Sequence, residues 1–331
     1  MSVQGEFVTN GKASPHGARA VIDALAKNSN AVLGIVAETQ GSTYRKVGAL
    51  LLREADSPQG FLSGGCLEPE LDEAARATHL SRQARWWAFN TRSDDDLLFG
   101  SASGCRGLVR LLLLPVPSEH PLRAALASLL DSRDPLQLGL HVDGGGRALA
   151  NGQRWAWPGN PACAASEHAP AQAVEIQIAA PPHVLLAGCG PEAAILIGHL
   201  RGLGARISVI EHRGRWAAHA AGADIHYPSA PERVWSQLPA DCYVAALVMG
   251  HHYGNDLLHL RRLADSAIPY VGLLGPPARR DALLADLGSA AEMLAGRLHA
   301  PVGLPLGGEG PEAIALSIAA QLQQHFSGKC S

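Results

Sequence analysis

The stretch from His183 to Arg213, HVLLAGCGPEAAILIGHLRGLGARISVIEHR, decides the fold. It opens with a short apolar run that reads as a buried strand, passes through a glycine turn into an amphipathic helix, stops at glycine, and re-enters a second apolar strand ending in Glu211. The turn, Gly188-Cys189-Gly190-Pro191-Glu192-Ala193, has G-x-G-x-x-A spacing. In such a turn the first glycine permits the tight bend and the second lets a pyrophosphate approach the backbone. The small third residue lets helix and strand pack closely, and an acid about 20 residues on can accept from ribose hydroxyls. Gly188, Gly190 and Glu211 are therefore candidate nucleotide contacts within a Rossmann unit. Two neighbours oppose an anion: Pro191 removes an N–H, and Glu192 sets a negative charge where phosphate would approach. The unit can bind NAD(P), hold another nucleotide-like ligand, or serve as a packing scaffold. Arg213 can meet a 2′-phosphate or remain solvated.

Strand and helix signals continue to alternate beyond this unit: CYVAALVM, a helix from Asp256 to Ser266, YVGLLG, a helix from Arg279 and a final helix PEAIALSIAAQLQQHF. This alternation predicts a doubly wound parallel sheet over 183–331. His251 and His252 follow one of its strands at the carboxyl end, where open α/β sheets place ligands. No acid or thiol joins them at metal-ligand spacing, so a hydrogen bond to a ligand or a helix cap is expected rather than zinc.

The 331 residues suit two domains. With 47% hydrophobic and 17% charged residues, a net charge of −3 and no apolar run of membrane-spanning length, the chain reads as soluble and globular, without global attraction to nucleic acid or anionic lipid. The N-terminus lacks the basic and apolar regions of a secretory signal, so the cytoplasm is the expected compartment. Six cysteines with no C-x-x-C pair exclude a disulfide scaffold, a zinc ribbon or a thioredoxin motif, leaving single reduced thiols. Neither Ser-His-Asp nor P-loop spacing is present.

An α/β unit is expected over 1–117. Ala18, Val21, Ile22 and Leu25 share one helical face, AVLGIVAE from Ala31 reads as a buried strand, LEPELDEAARATHL as a helix with Pro69 in its first turn, and RWWAF and LVRLLLL as further strands. Residues 118–182 read as hairpins and linker. Two segments of the first unit could carry chemistry. Gly41-Ser42-Thr43-Tyr44-Arg45-Lys46-Val47-Gly48 gathers hydroxyls, backbone donors and two cations, a composition that suits an anionic group or an ordinary solvated connection. Ser63-Gly64-Gly65-Cys66 sets a thiol at a helix N-terminus, which favours thiolate, the form that attacks, accepts sulfur or ligates a soft metal. A small thiol packed in a turn is the alternative. Gly104-Cys105-Arg106-Gly107 offers a second glycine-flanked thiol, either lining the same cleft or packed in a turn.

Taken together, QGSTYRKVGALLL, GFLSGGCLEPEL, GSASGCRGLVRLLLLP, VMGHHYGNDLLHLRRL, YVGLLGPPARRDALL and LHAPVGLPLGGEGPEAIALSIAAQL resemble, in order and spacing, the xanthine dehydrogenase accessory factor (XdhC/CoxI) family. The resemblance implies a protein that binds the molybdenum cofactor, a molybdopterin that can carry a nucleotide, and protects it. It further implies that the protein supports sulfuration with a cysteine desulfurase and delivers the cofactor to a xanthine dehydrogenase-type molybdoenzyme, more as a chaperone than as an enzyme. It implies a homodimer, and makes Gly41, Ser42, Arg45, Gly64, Gly65 and Cys66 the candidate cofactor contacts, with Cys66 a possible molybdenum ligand or sulfur relay. Tyr44 and Val47 stand where prolines are common in the family, and Gly275-Pro276-Pro277 replaces a more basic turn. The competing expectation is an NAD(P)-dependent oxidoreductase built on the Rossmann half.

Overall fold

The computed structural model describes residues 17–53, 58–90, 107–239 and 242–328. The chain divides into two compact units, Met1–Ala180 and Pro181–Ser331. Among the described residues no helix is long and apolar enough to cross a membrane.

The first unit is built on a four-stranded antiparallel sheet of β1 (Asn30–Gly41), β2 (Leu50–Arg53), β3 (Arg85–Asn90) and β4 (Gly107–Pro117), in the order β2-β1-β4-β3. Helices α1 (Ala18–Lys27) and α2 (Glu68–Ser81) accompany it. An antiparallel sheet with one wet face alternates apolar and polar residues, whereas β1 is buried from Ala31 to Thr39 without interruption. The cause is coverage on both faces. Val32, Val36, Leu51, Phe89, Leu111 and Leu113 point to the side where Leu71, Ala74 and Ala75 of α2 pack. Leu33, Ile35, Leu52, Trp86, Leu112 and Leu114 point to the other side, against Val21, Ile22 and Leu25 of α1.

That second side is completed by residues 118–182, read from sequence as hairpins and linker. They form helix α3 (Pro121–Ala127) and a second antiparallel sheet of β5 (Leu136–Leu140), β6 (Gly146–Ala150), β7 (Gln153–Trp157) and β8 (Val174–Ile178), ordered β7-β6-β5-β8. Leu136, Leu138, Leu140, Ile176 and Ile178 enter the same core as Leu33 and Ile35. The indole N–H of Trp86 on β3 donates to the Val142 carbonyl at 2.7 Å, tying the two sheets together.

The second unit is a six-stranded sheet: β9 (His183–Ala187), β10 (Arg206–Ile210), β11 (Ile225–Tyr227), β12 (Ala245–Val248), β13 (Val271–Leu273) and β14 (Leu298–His299). All pairs are parallel and the order is β11-β10-β9-β12-β13-β14. This is the Rossmann order, with its reversal between β9 and β12. Helices α4 (Ala193–Gly202) and α7 (Gly310–Phe326) cover one face through Leu196, Ile197, Leu200, Ile318 and Leu322. Helices α5 (Tyr253–Ala264) and α6 (Pro277–Leu287) cover the other through Leu260, Leu263, Leu283 and Leu287. The doubly wound sheet expected from sequence is present, with α5 beginning three residues before Asp256.

If β5–β8 belong to the first core, Leu138→Ala, at a fully buried site, costs about 2–5 kcal/mol. In urea unfolding followed separately in the two units, the first unit's midpoint falls and that of the second stays. Equal midpoints for wild type and variant would show β5–β8 to be an appendage.

Candidate functional site

The first site is carried by two loops of the first unit. Strand β1 ends at Gly41, in the left-handed region at φ 74°, and opens into the segment Ser42 to Gly48. The loop is fastened at both ends. The Thr43 hydroxyl donates to the Arg45 carbonyl at 2.8 Å, and the Gly48 amide returns to Val36 of β1 at 2.8 Å. Gly107 permits this course, because a Cβ there would sit 2.4 Å from the Ser42 carbonyl oxygen. Arg45 then reaches the second loop, its Nε donating to the Phe61 carbonyl at 2.6 Å.

The second loop, Phe61 to Leu67, precedes α2 and is organised by Glu68, the first residue of that helix. The amides of Leu62 and Ser63 donate to its Oε1 at 2.8 and 3.0 Å, and the Ser63 hydroxyl donates to its Oε2 at 2.5 Å. The same hydroxyl oxygen accepts from the amides of Gly65 and Leu67 at 3.1 and 3.0 Å. Burial pushes the Glu68 carboxyl up, but the hydrogen bonds from Ser63 and Leu62 outweigh it and hold the group below its ordinary value. Between these anchors the loop is open. Gly65 has φ 119°, and a Cβ on either Gly64 or Gly65 would meet no atom of the described residues within 4 Å. Among the described residues the amides of Gly64 and Cys66 find no acceptor, and Cys66 is half-buried.

The structure thus brings Gly41, Ser42, Arg45, Gly64, Gly65 and Cys66 onto two loops joined by Arg45. Cys105 lies outside the described residues. Ser63 and Glu68 were missed as individual site residues; their five-residue spacing is not that of a capping box, and only the folded loop shows what the carboxylate collects. A cavity of about 980 Å³ lies elsewhere in this unit, lined by Asp23, Lys27, Arg53, Asp72, Arg76 and His79 among others, and it includes none of these loop residues.

The second candidate site lies at the carboxyl end of β9, β10 and β12. Gly188 turns at φ 93°, where a Cβ would come within 2.3 Å of the Gly250 Cα. Glu211 ends β10 as expected, yet its carboxylate is 2% exposed and already engaged. Its Oε2 accepts from the Cys189 amide at 2.9 Å and from Arg213 Nη2 at 2.5 Å, and its Oε1 from the Arg213 amide and Nε at 2.7 and 2.9 Å. Arg213 also donates to the carbonyls of Gly250 and Cys189 at 2.7 and 3.1 Å. Both carboxylate oxygens, the acceptors an adenosine ribose would need, are thus taken by protein donors, and the cavity beside them is about 10 Å³, room for no more than a single water. Burial pushes Glu211 up, and the Arg213 contacts, with the Cys189 amide, bring it below its ordinary value.

Glu192, expected from the sequence to oppose an incoming phosphate, is engaged within the protein. Its side chain is 3% exposed and turned onto His251, whose Nε2 lies 3.2 Å from Oε1. The two groups sit over Gly190, where a Cβ would meet each at 2.5 Å. His251 is a non-glycine residue at φ 53°, an unfavourable conformation held by its surroundings. His252 caps α5, its Nδ1 accepting from the Asn255 amide. Asp256, buried behind the pair, accepts from Arg279 at 2.7 Å. Gly188, Gly190, Glu211 and His251 are thus brought together, though Glu211 is committed to protein donors. Among the described residues no cluster of three or more metal-ligating side chains occurs.

Known proteins resemble the chain over both units. Residues 24–89 match the model of the XdhC and CoxI family, and residues 184–322 match that of the XdhC Rossmann domain. The chain belongs to the XdhC and CoxI family. Over 321 residues it is 27% identical to a Bacillus subtilis (strain 168) protein described as a probable subunit of xanthine dehydrogenase, covering 92% of this chain and 96% of that protein. A crystal structure described as a xanthine dehydrogenase from Bacillus halodurans superposes with a TM-score of 0.75 at 26% identity, over 95% of this chain and 97% of the other. In this XdhC/CoxI protein the first family match contains the Ser42–Gly48 and Phe61–Leu67 loops.

The Glu68 network and the Glu192–His251 pair each have a measurable consequence. Glu68→Gln removes the charge that collects the loop's donors, so proteolytic cleavage in the loop accelerates several-fold. Because the folded carboxyl lies below its ordinary value, this stabilisation is present at neutral pH and is lost as the pH falls through the folded value. A wild-type loop whose protection stays unchanged as the Glu68 carboxyl is titrated, its protonation followed by NMR, would contradict it. For His251, the Glu192 hydrogen bond, opposed by burial, raises the imidazole above its ordinary 6.5. The pair's stabilisation is complete below 6.5 and fades as the pH climbs through the folded value. NMR titration should place the wild-type midpoint above 6.5 and move it down in Glu192→Gln; equal midpoints would remove the pair as the cause.

Proposed function

We propose that the protein is an accessory factor of a xanthine dehydrogenase-type molybdenum hydroxylase. In this reading it binds the molybdenum cofactor as cargo, shields it, supports its sulfuration with a cysteine desulfurase and hands it to the apoenzyme, working as a homodimer. The observation that carries the reading is the open loop at Gly64-Gly65-Cys66. Gly65 needs its left-handed backbone, but nothing among the described residues crowds Gly64, so the absence of a side chain there clears space beside the thiol rather than serving internal packing.

The residues present fit such a cargo. The thiol of Cys66 offers a soft donor for molybdenum and a nucleophile able to relay sulfur. The cofactor's terminal phosphate would be met by the amides of Gly64 and Cys66, the Ser42 hydroxyl and the Arg45 guanidinium, which pairs with no acid among the described residues. Glu68 holds the Leu62 and Ser63 amides and the Ser63 hydroxyl, which fixes the loop that carries Gly64 and Cys66. An NAD(P)-dependent oxidoreductase is a poorer fit, because Arg213 and the Cys189 amide take up the acceptor capacity of Glu211.

Mixed with freshly released cofactor and passed through gel filtration, wild-type protein should retain pterin, detected by fluorescence after oxidation. Cys66→Ala should retain roughly tenfold less or worse, in line with losing a strong ligand, and should fail to activate the apoenzyme while unfolding at the wild-type midpoint. Wild-type protein that elutes free of pterin would overturn the reading.

A further inference from the structure

Three aromatic rings among the described residues are substantially exposed: Tyr44 at 62%, Phe61 at 57% and Tyr253 at 37%. Tyr253, in the second unit, is already employed, its hydroxyl donating to Asp286. Tyr44 and Phe61 belong to the two loops of the first site, one on each. Arg45 connects them: its guanidinium carbon lies 5.8 Å from the centre of the Tyr44 ring, and its Nε donates to the carbonyl of Phe61. Neither ring contributes to the cores of this unit. Exposed aromatic surface beside a cation and a glycine-cleared backbone is what a flat, conjugated ligand with an anionic tail requires. The rings supply faces for stacking, and the cation and amides take the charge.

We propose that Tyr44 and Phe61 form an aromatic platform for a planar heterocycle whose anionic tail is held by Arg45 and the amides of Gly64 and Cys66. The inference rests on the function proposed above, in which the heterocycle is the pterin of the cofactor, and it names which residues hold the ring system, a role separate from that of the Cys66 thiol. Both rings are exposed, so their removal leaves the fold intact.

The test uses the full chain with Tyr44→Ala, Phe61→Ala and the conservative Tyr44→Trp and Phe61→Tyr. Two readouts are followed, retention of released cofactor through gel filtration and quenching of pterin-6-carboxylate fluorescence on titration. Each alanine variant should weaken both by roughly tenfold, the loss expected for one stacking ring, while the aromatic replacements stay within about twofold of wild type. Alanine variants that retain cofactor like wild type, when Cys66→Ala does not, would overturn the platform and leave the proposed function standing. Alanine variants that retain cofactor but no longer activate the apoenzyme would also overturn it, assigning the rings to the face that meets the client. If wild-type protein retains no cofactor, the proposed function fails. Saturable quenching of pterin-6-carboxylate that the alanine variants abolish would then uphold the platform alone, and no quenching would overturn it too.

Discussion

Glu68 collects the Leu62 and Ser63 amides and the Ser63 hydroxyl with its two carboxylate oxygens, and the form of the cysteine loop follows from that. An anion at the first residue of α2 is favoured by the helix dipole, so the residue that starts the helix is also the one that folds the preceding chain back on it. Once those donors point inward, Ser63 can turn its hydroxyl oxygen to the amides of Gly65 and Leu67, and the donors on Gly64 and Cys66 are left without an acceptor among the described residues. Arg45 fixes the other loop to this arrangement through a single carbonyl, keeping the rest of its guanidinium outside the network. The thiol, the open amides and the cation are consequences of one carboxylate's hydrogen bonds, which explains why S-G-G-C and the glutamate two residues later behave as one motif.

The second unit shows the opposite economy of charge. Among the described residues three acids at the carboxyl end of its sheet are already engaged within the protein: Glu211 by Arg213, Glu192 by the His251 imidazole and Asp256 by Arg279. Taking one partner from such a buried pair costs about 3–5 kcal/mol, so a dinucleotide would have to displace Arg213 and compensate a stranded Glu211. The G-x-G-x-x-A turn serves the close packing that its spacing describes, with Gly188 against Gly250 and Gly190 beneath the Glu192–His251 pair. A Rossmann turn specifies a backbone course, and the ligand is decided by the side chains placed around it.

The same distinction marks how far the sequence could be read. The β9-α4-β10 unit was legible because strand, turn, helix and strand each have a separate local signal that agrees with the others. The unbroken apolar run of β1 was legible as a buried strand, though the sequence could not say that α2 covers one face and α1 with a second sheet the other. That second sheet was only partly legible: its strands have five residues each, and β7 carries Trp157 inward beside otherwise exposed or half-exposed positions, a pattern shared with surface hairpins. Arg213 could not be placed, because whether a guanidinium three residues beyond a strand faces solvent or curls back on Glu211 depends on the backbone after β10. Tyr44 and Phe61 were likewise unassigned, since no periodicity exists in a loop from which to infer exposure.

Cysteine chemistry illustrates why environment had to be added to motif. Cys189 sits in the most recognisable turn of the chain, yet it is fully buried, and that burial, with the Glu211 charge beside it, pushes its thiol up to about 12. Cys163 is also buried, and its thiol is also raised, first by burial. Both thiols keep their protons at neutral pH and act as small apolar side chains. Cys242 is partly exposed, but its sulfur donates to the Pro239 carbonyl. Cys66, intermediate in exposure like Cys242, differs from all three in following two glycines over which no described atom lies and in standing two residues before α2. A thiol serving the core would need neither the glycines nor the Glu68 network that folds the loop back on α2. Their presence around this cysteine argues that the loop is shaped to let something approach it.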